Sequence, residues 1–149
     1  MEKDRCVSEK NTYDAFRKGI AIPRDRIDRI ENIVGVGNPD VNCVLIGGPE
    51  IWIEIKSPKE PKRKTTVLFN SNHKLSQDQM NWFHRQHRAG GKGFVMVDTD
   101  KRRIMVRGAL ADSINSLTVD ELIGIACWHA PKPTKKEQWD SLREVLIGG

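Results

Sequence analysis

Cysteines, long apolar runs and an apolar leader are scarce or missing in this sequence. Its 149 residues contain three cysteines, Cys6, Cys43 and Cys127, which are widely spaced and form no CxxC pair. An odd number at such spacing argues against a disulfide framework and against a cysteine zinc site, so we expect free thiols. No apolar run approaches the roughly 18 residues that cross a bilayer, and the N-terminal MEKDR is charged where a secretory signal is apolar. These absences predict a cytoplasmic protein that makes no use of a membrane.

The charge of the chain is modestly basic and unevenly distributed. The formal net charge is +5 at pH 7 and the pI is about 9.2, a balance that favours a polyanionic partner. Segment 57–74 carries one acidic residue and five basic ones, which are Lys59, Lys62, Arg63, Lys64 and Lys74. This segment is either a contact for a polyanion or a solvated loop without a partner.

Chain length and the spacing of proline and glycine indicate one domain over residues 1–149. Single domains commonly run to about 100–150 residues, and no internal repeat or linker-like tract interrupts this one. The predicted elements are a helix over 9–18, an ambiguous strand over 27–36, strands over 41–46 and 51–57, a helix over 75–89, strands over 94–97 and 104–106, and a helical segment over 109–147. This order predicts an α/β fold in which helices flank a mixed sheet.

Short local patterns mark where these elements begin and end. Ser8 is a candidate N-cap and Gly19 a candidate stop for the first helix. Gly47-Gly48-Pro49 is turn chemistry between two β-branched runs, so strands 41–46 and 51–57 should form an antiparallel hairpin. Capping-box pairs mark helix starts at three places, one in the helix over 75–89 and two in the helical segment over 109–147: Ser76 with Gln79, Thr118 with Glu121, and Thr134 with Glu137.

The residues that carry the clearest chemistry lie on the predicted hairpin. In segment 51–56 three isoleucines occupy one face of the strand, so Trp52, Glu54 and Lys56 project from the other face. Asp40 stands at the base of the preceding strand, where pairing brings it close to Glu54 or Lys56. Two carboxylates and a lysine therefore converge.

This combination suits the metal-assisted hydrolysis of a phosphodiester. Two carboxylates are a minimal protein contribution for Mg²⁺, which prefers oxygen ligands and keeps waters that a phosphate can displace. A lysine beside them assists the attacking water and stabilises charge on the scissile phosphate. The alternative is that Glu54 and Lys56 are an exposed ion pair, which would add little to stability and nothing to function.

Pro39-Asp40 and Glu54-Ile55-Lys56 resemble the PD-(D/E)xK motif of the restriction-endonuclease-like nuclease superfamily. The stretch 35–40, the segment 52–58, and Leu75-Ser76-Gln77-Asp78-Gln79 with Trp82 are similar to VRR-NUC-type domains and small bacteriophage Holliday-junction resolvases. The resemblance covers about residues 8–98, and its motifs are moderately specific. It implies a restriction-endonuclease-like mixed β-sheet flanked by α-helices.

The resemblance also implies a role for each matching residue. Asp40 and Glu54 would bind Mg²⁺, for which Mn²⁺ would substitute. The main-chain carbonyl of Ile55, between the second acid and the lysine, would join them as a metal ligand. Lys56 would assist the attacking water, so the implied reaction is hydrolysis of a DNA phosphodiester bond.

Two further residues have a site role and also a simpler explanation. Glu9 lies four and seven residues before Tyr13 and Phe16, which places it on their face of the first helix and makes it a candidate metal ligand. A glutamate in a first turn is equally explained as a complement to the helix dipole. Gln79 matches a glutamine that orients the site in these families, and it is also the N3 residue of the capping box that begins at Ser76.

A long insertion, from Lys59 to His73, departs from the simplest family pattern and leaves the displacement of the Gln79 helix open. Its charges predict that it tracks a DNA backbone. The predicted DNA-binding residues are Lys59, Lys62, Arg63, Lys64, Lys74 and Arg85. The pair His84 and His87 lacks a third zinc ligand at matching spacing. Segment 35–37 lacks the full dinucleotide fingerprint and is better explained as a turn, so no nucleotide cofactor is expected.

These observations predict a Mg²⁺-dependent DNA endonuclease that is selective for branched DNA, such as the Holliday junctions of recombination and repair. A domain this small leaves no room for a separate sequence-reading module, and symmetric cutting of a junction needs two sites, so we expect a homodimer. Two alternatives remain. One is a nuclease of the same fold that acts on ordinary duplex or single-stranded DNA, and the other is a nucleic-acid-binding module whose acids are structural.

Overall fold

The computed structural model describes residues 8–30, 37–70 and 72–148, which form one six-stranded sheet with helices on both faces. The strands are β1 (Arg26–Arg29), β2 (Val41–Val44), β3 (Glu50–Lys56), β4 (Lys92–Asp98), β5 (Arg102–Arg107) and β6 (Trp128–Pro131). The helices are α1 (Glu9–Ile20), α2 (Gln77–Arg88), α3 (Ala111–Ile114), α4 (Val119–Ile125) and α5 (Lys136–Gly148), with a 3-10 turn at Gly108–Leu110. None of these helices has the length and apolar character needed to cross a membrane.

The strands are adjacent in chain order, and the directions of their pairing make the sheet mixed. β1, β2 and β3 pair antiparallel, and so do β4, β5 and β6. β3 and β4 pair in parallel, and α2 lies in the crossover that a parallel pair requires. This arrangement confirms the predicted α/β fold with a mixed sheet flanked by helices.

The sheet separates two hydrophobic layers. On one face, α1 and α5 pack on the three isoleucines of β3, which are Ile51, Ile53 and Ile55. On the other face, α2, α3 and α4 cover residues such as Val95 and Val106 of the neighbouring strands. The alternation of β3 therefore turns its polar and aromatic side chains toward the α2 layer, as the sequence predicts.

The first helix begins where expected and ends later than expected. The Ser8 hydroxyl accepts a hydrogen bond from the Asn11 N–H at 3.0 Å, so Ser8 is the N-cap. Gly19 does not stop the helix, which continues to Ile20. A Cβ on Gly19 would lie 2.4 Å from the Trp139 ring, so the glycine is needed for the close approach of α5 to α1.

The central elements agree closely with the local sequence signals. Both hydrogen bonds of the predicted capping box at the start of α2 are present, and the helix is followed by Gly90 at a φ of +86°. The predicted hairpin of β2 and β3 is present, with Gly47 at a φ of +85° in its turn. β1 is shorter than the strand expected over 27–36, since Ile30 is already outside it, and residues 31–36 lie outside the described part of the chain.

The C-terminal part contains a strand that we did not predict. β6 adds to the edge of β5, where the expected segment over 109–147 was entirely helical. The Thr118 capping box of α4 is confirmed. The prediction of a capping box between Thr134 and Glu137 is wrong. The Thr134 hydroxyl donates a hydrogen bond to the Pro131 carbonyl and accepts one from Arg103. The Gln138 side chain instead accepts from the Lys135 N–H at 2.8 Å.

Two of the three cysteines lie in the described residues, and both are free thiols. Cys43 is buried in β2, and burial raises the pKa of its thiol to about 12. A thiol in this state is unreactive at neutral pH. Cys127 is half-buried before β6, and Cys6 lies outside the described residues.

A buried ion pair joins three distant parts of the chain. The Asp25 side chain, 1% exposed, accepts two hydrogen bonds from Arg143 of α5, at 2.6 and 2.7 Å. Its oxygens also accept from the backbone N–H groups of Ile22 and Ile46. These bonds, led by those from the guanidinium, hold the pKa of Asp25 well below its usual range.

Replacement of Asp25 with Asn should destabilise the protein by about 3 kcal/mol at pH 7, because Arg143 would remain buried without its countercharge. Asp140→Asn, which breaks an exposed pair with Lys136, is the control and should cost less than about 1 kcal/mol. Urea unfolding measures both. Because folding lowers the pKa of Asp25, its contribution is present above the unfolded pKa and is lost as the pH falls. The difference between parent and Asp25→Asn should therefore shrink at acid pH, and a constant difference would contradict this assignment.

Candidate active site

The four residues predicted to be catalytic lie together where β2 begins and β3 ends. Asp40 directly precedes β2, and its Oδ2 accepts a hydrogen bond from the Ile55 N–H at 2.9 Å. Antiparallel pairing places Val41 opposite Ile53, so β3 extends beyond β2 at this point. The Asp40 carboxylate therefore takes the place of a backbone carbonyl of β2, which would accept this hydrogen bond if the strand began earlier. The bond fixes Asp40 beside Glu54 and Lys56.

Glu54 is buried with one carboxylate oxygen satisfied and the other not. Its side chain is 4% exposed. Glu54 Oε2 accepts a hydrogen bond from Gln79 Nε2 at 2.9 Å and lies 3.7 Å from Lys56 Nζ. Glu54 Oε1 is buried and has no hydrogen-bond partner among the described residues. A buried acceptor in this state is costly unless a water molecule or an ion binds it.

Gln79 makes a hydrogen bond that suits each of the roles that the sequence left as alternatives. Its Oε1 accepts from the Ser76 N–H at 2.9 Å, which closes the capping box of α2. Its Nε2 donates to Glu54 across the crossover. The two ends of one amide therefore connect the start of the helix to the carboxylate on the strand.

Lys56 is also held inside the protein. Its side chain is 11% exposed, and its Nζ donates to the Lys74 carbonyl at 3.3 Å. The interpretation of Glu54 and Lys56 as an exposed ion pair is therefore wrong, because α2 and the segment that leads to it cover this face. The Lys74 carbonyl is a contact that sequence reasoning missed, since no side-chain pattern marks a backbone oxygen.

The electrostatics of the site are dominated by the burial of Glu54. Burial is the largest cause that raises the pKa of Glu54, to about 9, and the Asp40 carboxylate raises it further. Lys56 lowers it, and Glu9 raises it by a smaller amount. The single ammonium of the site does not balance the two carboxylates in this low-dielectric environment. A further positive charge at this position would let Glu54 ionise.

Glu9, at the start of α1, lies within electrostatic reach of the site but not in a ligand cluster. Burial, followed by the charge of Asp40, raises the pKa of Glu9, while Lys56 and Arg29 lower it. In the described part of the chain, no three side chains of His, Cys, Asp or Glu are grouped closely enough to hold a metal ion. The participation of Glu9 as a metal ligand stays a prediction.

The donor set at this site fits a hard divalent cation. Asp40 and Glu54 offer carboxylate oxygens, and Glu54 Oε1, which has no partner among the described residues, can accept a ligand bond. The N–H and C=O of one strand residue point to the same side, so the Ile55 carbonyl faces the side on which Asp40 lies. Oxygen ligands of this kind are those that Mg²⁺ and Mn²⁺ prefer.

The loop before Asp40 packs tightly against the start of α2. Gly37 has a φ of +81°, and a Cβ there would lie 2.6 Å from the Asp78 carbonyl oxygen. Pro39 is buried between this contact and Asp40. The glycine at the end of the predicted turn thus lets the backbone approach the helix that carries Gln79. Gly35 and Val36 lie outside the described residues.

An aromatic pair adjoins the carboxylates on the same face of β3. Trp52 and Trp82 are 5.5 Å apart, edge to face, and both are half-buried. Trp82 lies one turn after Gln79 on α2, so the pair continues the contact between strand and helix that Gln79 makes. The sequence placed Trp52 on this face but did not pair it with Trp82.

The basic insertion is an exposed loop that is anchored at both ends. At its start, Glu60 accepts hydrogen bonds from Thr99 and Arg102, each at 2.7 Å. At its end, Leu68 and Phe69 are buried in the α2 layer. The predicted DNA-binding residues between and beside these anchors are all exposed: Lys59, Lys62, Arg63, Lys64 and Lys74. The loop follows β3 directly, so it starts at the candidate active site.

The remaining polar residues of α2 lie farther from the carboxylates. Arg85 is exposed and lies six residues after Gln79, about 9 Å along the helix axis. His84 Nε2 is 3.7 Å from Asp112, a contact between α2 and α3 at the surface. His87 is exposed near the end of the helix. DNA binding by Arg85 stays a prediction.

Comparison with known proteins finds a similarity to a solved structure. No protein-family model matches the chain, and no curated protein matches it. Among solved structures it is similar to Hjc, a Holliday junction resolvase from Archaeoglobus fulgidus, with a TM-score of 0.43 and 17% sequence identity. That similarity covers 78% of this chain and 95% of the other.

Proposed function

We propose that this protein is a Mg²⁺-dependent DNA endonuclease that hydrolyses phosphodiester bonds, with Mn²⁺ able to replace Mg²⁺. The observation that carries the proposal is the grouping of Asp40, Glu54, Lys56 and Gln79, in which Glu54 and Lys56 are buried and Glu54 Oε1 lacks a partner among the described residues. Two carboxylates with too little positive charge around them are stable together when a divalent cation binds. The same set beside a basic loop suits a polyanionic substrate.

Asp40, Glu54 and the Ile55 carbonyl would hold the cation. When bound, such an ion acidifies water and stabilises negative charge on a phosphate. The chain's own residues prepare this position. Gln79 orients the Glu54 carboxylate through Oε2 and leaves Oε1 available, and the Ile55 N–H orients Asp40.

Lys56 supplies the remaining charge for hydrolysis. Its ammonium is held by the Lys74 carbonyl and lies beside Glu54, so little side-chain freedom is lost when the substrate arrives. From this position it stabilises charge that develops on the scissile phosphate and moves a proton to or from the attacking water. A lysine that is already positioned and desolvated acts more strongly than one in bulk water.

The loop with Lys62, Arg63 and Lys64 would carry the DNA backbone to the site. DNA affinity falls as the salt concentration rises. Replacing all three residues with Gln should reduce the slope of log affinity against log salt concentration by about 2 to 3. Fluorescence anisotropy of a labelled duplex measures this slope. The control variant loses the same number of positive charges outside the insertion. It replaces three exposed residues with Gln, namely Arg17, Arg24 and Lys135. An unchanged slope in the loop variant would contradict the proposed backbone track.

We propose that branched DNA is the preferred substrate and that the protein acts as a homodimer. Both proposals rest on the motif resemblance over about residues 8–98, whose central residues are Asp40, Glu54 and Lys56. Symmetric cutting of a four-way junction needs two active sites, which a two-fold dimer supplies. A cytoplasmic location is part of the same proposal.

Cleavage of a labelled four-way junction and of its component duplex, with Mg²⁺ and with EDTA, tests the proposal. We expect metal-dependent cutting of the junction by the parent and no cutting by Asp40→Asn. Equal rates on junction and duplex would favour a nuclease that acts on ordinary DNA. DNA binding that survives Asp40→Asn, without cleavage by the parent in any metal, would favour a binding module. Sedimentation of one protomer per junction would contradict the dimer.

A further inference from the structure

A pocket lies on the opposite side of the sheet from the candidate active site. It is open, has a volume of about 890 Å³, and lies between the C-terminal half of α1 and the loop from β6 to α5. This volume is in the range of small-molecule sites, about 300–1,000 Å³. Its lining includes no acidic side chain among the described residues and four basic ones, which are Lys18, Arg103, Lys132 and Lys136.

The inner part of this pocket has more positive than negative charge. Lys132 Nζ lies 3.0 Å and Arg103 Nε 3.6 Å from the same oxygen of Asp98. The side chains of Lys132 and Arg103 are only 20% and 11% exposed, and Asp98 is 1% exposed. One carboxylate is thus shared by two largely desolvated cations. Arg103 Nε and the Asp98 oxygen it faces are both buried without a hydrogen-bond partner in the described part of the chain. Arg103 Nη1 donates to the Thr134 hydroxyl at 2.7 Å and Lys132 Nζ to the Thr99 carbonyl at 2.8 Å, so both cations are held in place.

The rim of the pocket adds two exposed cations. Lys18 projects from the last turn of α1, and Lys136 begins α5. Within residues 8–30, 37–70 and 72–148, Lys18 forms no ion pair, and Lys136 pairs only with Asp140, one turn later on α5. The N-terminus of α5 also opens here, and its dipole favours an anion. Charge of one sign therefore converges from two helices, a strand and the loop from β6 to α5.

The aromatic residue of the pocket forms a wall and does not offer a stacking surface. Trp139 is 7% exposed. Its ring packs on Gly19, stacks on Trp128 at 6.0 Å, and lies 5.1 Å from the Arg103 guanidinium. These contacts hold Arg103 in place while leaving the pocket's polar groups as the recognition elements.

We propose that this pocket binds a phosphate group. A doubly charged anion matches the excess of positive charge, and a fixed guanidinium beside lysines is the usual recognition chemistry for phosphate. The phosphate comes either from a free phosphorylated molecule or from a nucleic-acid backbone. The proposal does not depend on cleavage chemistry, because no residue of the candidate active site lines the pocket.

Calorimetric titration with inorganic pyrophosphate, in EDTA and low salt, tests the proposal. We expect saturable binding by the parent, weakened roughly tenfold or more in Lys18→Glu/Lys136→Glu, because both substitutions place a carboxylate at the rim. Arg17→Glu/Lys135→Glu is the matched control, since these neighbours are exposed, outside the lining, and change the net charge equally. The control should stay within about twofold of the parent.

A single-stranded oligonucleotide, titrated into the same three proteins, distinguishes the sources. If the pocket variant loses affinity for both probes, the phosphate belongs to a nucleic acid. If it loses affinity for pyrophosphate alone, the ligand is a free phosphorylated molecule. Absence of saturable pyrophosphate binding by the parent would overturn the proposal, and so would equal weakening in the pocket variant and its control.

Discussion

Glu54→Gln should abolish metal-dependent DNA cleavage, with a loss on the order of 10³-fold or more, while the protein stays folded. Gln is nearly isosteric with Glu, and its carbonyl can still accept the Gln79 amide hydrogen bond, so the packing of α2 on β3 is kept. It cannot supply the negative charge that a divalent cation needs. Single-turnover cleavage of a labelled junction at saturating protein measures the loss.

The same variant should be more stable than the parent in EDTA, and increasingly so as the pH rises. Folding raises the pKa of Glu54 from 4.5 to about 9, so between these values the folded protein keeps a proton that the unfolded chain releases. The parent therefore loses stability as the pH rises, by about 3 kcal/mol at pH 7 relative to acid pH. A neutral amide at this position does not titrate, so the variant avoids this loss.

With Mg²⁺ present, the parent should instead be more stable than Glu54→Gln. If Glu54 is a metal ligand as proposed, the ion should bind the folded parent and raise its melting temperature, whereas Glu54→Gln should respond weakly. Glu50→Gln is the control, because Glu50 lies on the same face of β3 but its side chain is 58% exposed. The control should cleave and melt like the parent. A parent that melts at the same temperature with Mg²⁺ and with EDTA would contradict the metal assignment, independently of any cleavage assay.

Lys56→Met should reduce the rate of cleavage by on the order of 10²- to 10³-fold, with DNA affinity within about threefold of the parent. Met keeps the apolar stem that packs under α2 but removes the ammonium held by the Lys74 carbonyl. Because the proposed role of this charge is on the developing transition state, the loss should fall in kcat and leave KM nearly unchanged.

Lys135→Met removes one exposed lysine just before α5, on the other side of the sheet, and is the control for net charge. It should cleave at the parent rate. Lys56→Arg adds a second comparison, because it keeps the charge but not the compact geometry of the ammonium. Parent-like cleavage by Lys56→Met would contradict a catalytic role for Lys56 and leave only its structural contact with Lys74.

Several features of the site followed from local sequence rules. Alternation along β3 placed Glu54 and Lys56 on one face because side chains on a strand repeat every two residues. The capping box predicted the start of α2 because the Ser76 and Gln79 side chains satisfy backbone N–H groups within one turn. Both signals depend on residues a few positions apart, for which geometry is nearly independent of the rest of the fold.

Other features of the site depend on residues far apart in the sequence, so local sequence rules could not predict them. The second role of Gln79 depends on where α2 crosses β3, and the burial of the Glu54–Lys56 pair depends on what covers that face. Strand β6 has only four residues and requires the open edge of β5 to pair with. In β6 a single exposed histidine lies between two buried side chains. An alternation this short does not distinguish a strand from a loop in the sequence.

The division is one of distance along the chain. Sequence alone established the hairpin, the shared face of Glu54 and Lys56, the nearby Asp40, and the basic insertion, because backbone periodicity and hairpin pairing act over short separations. Tertiary packing established the desolvation that raises the pKa of Glu54, the bond from Gln79, and the pairing of Asp25 with Arg143. It also assembled the cationic pocket from α1, β5, α5 and the loop before α5. Those properties arise where remote segments exclude water together, and no local pattern encodes which segments will meet.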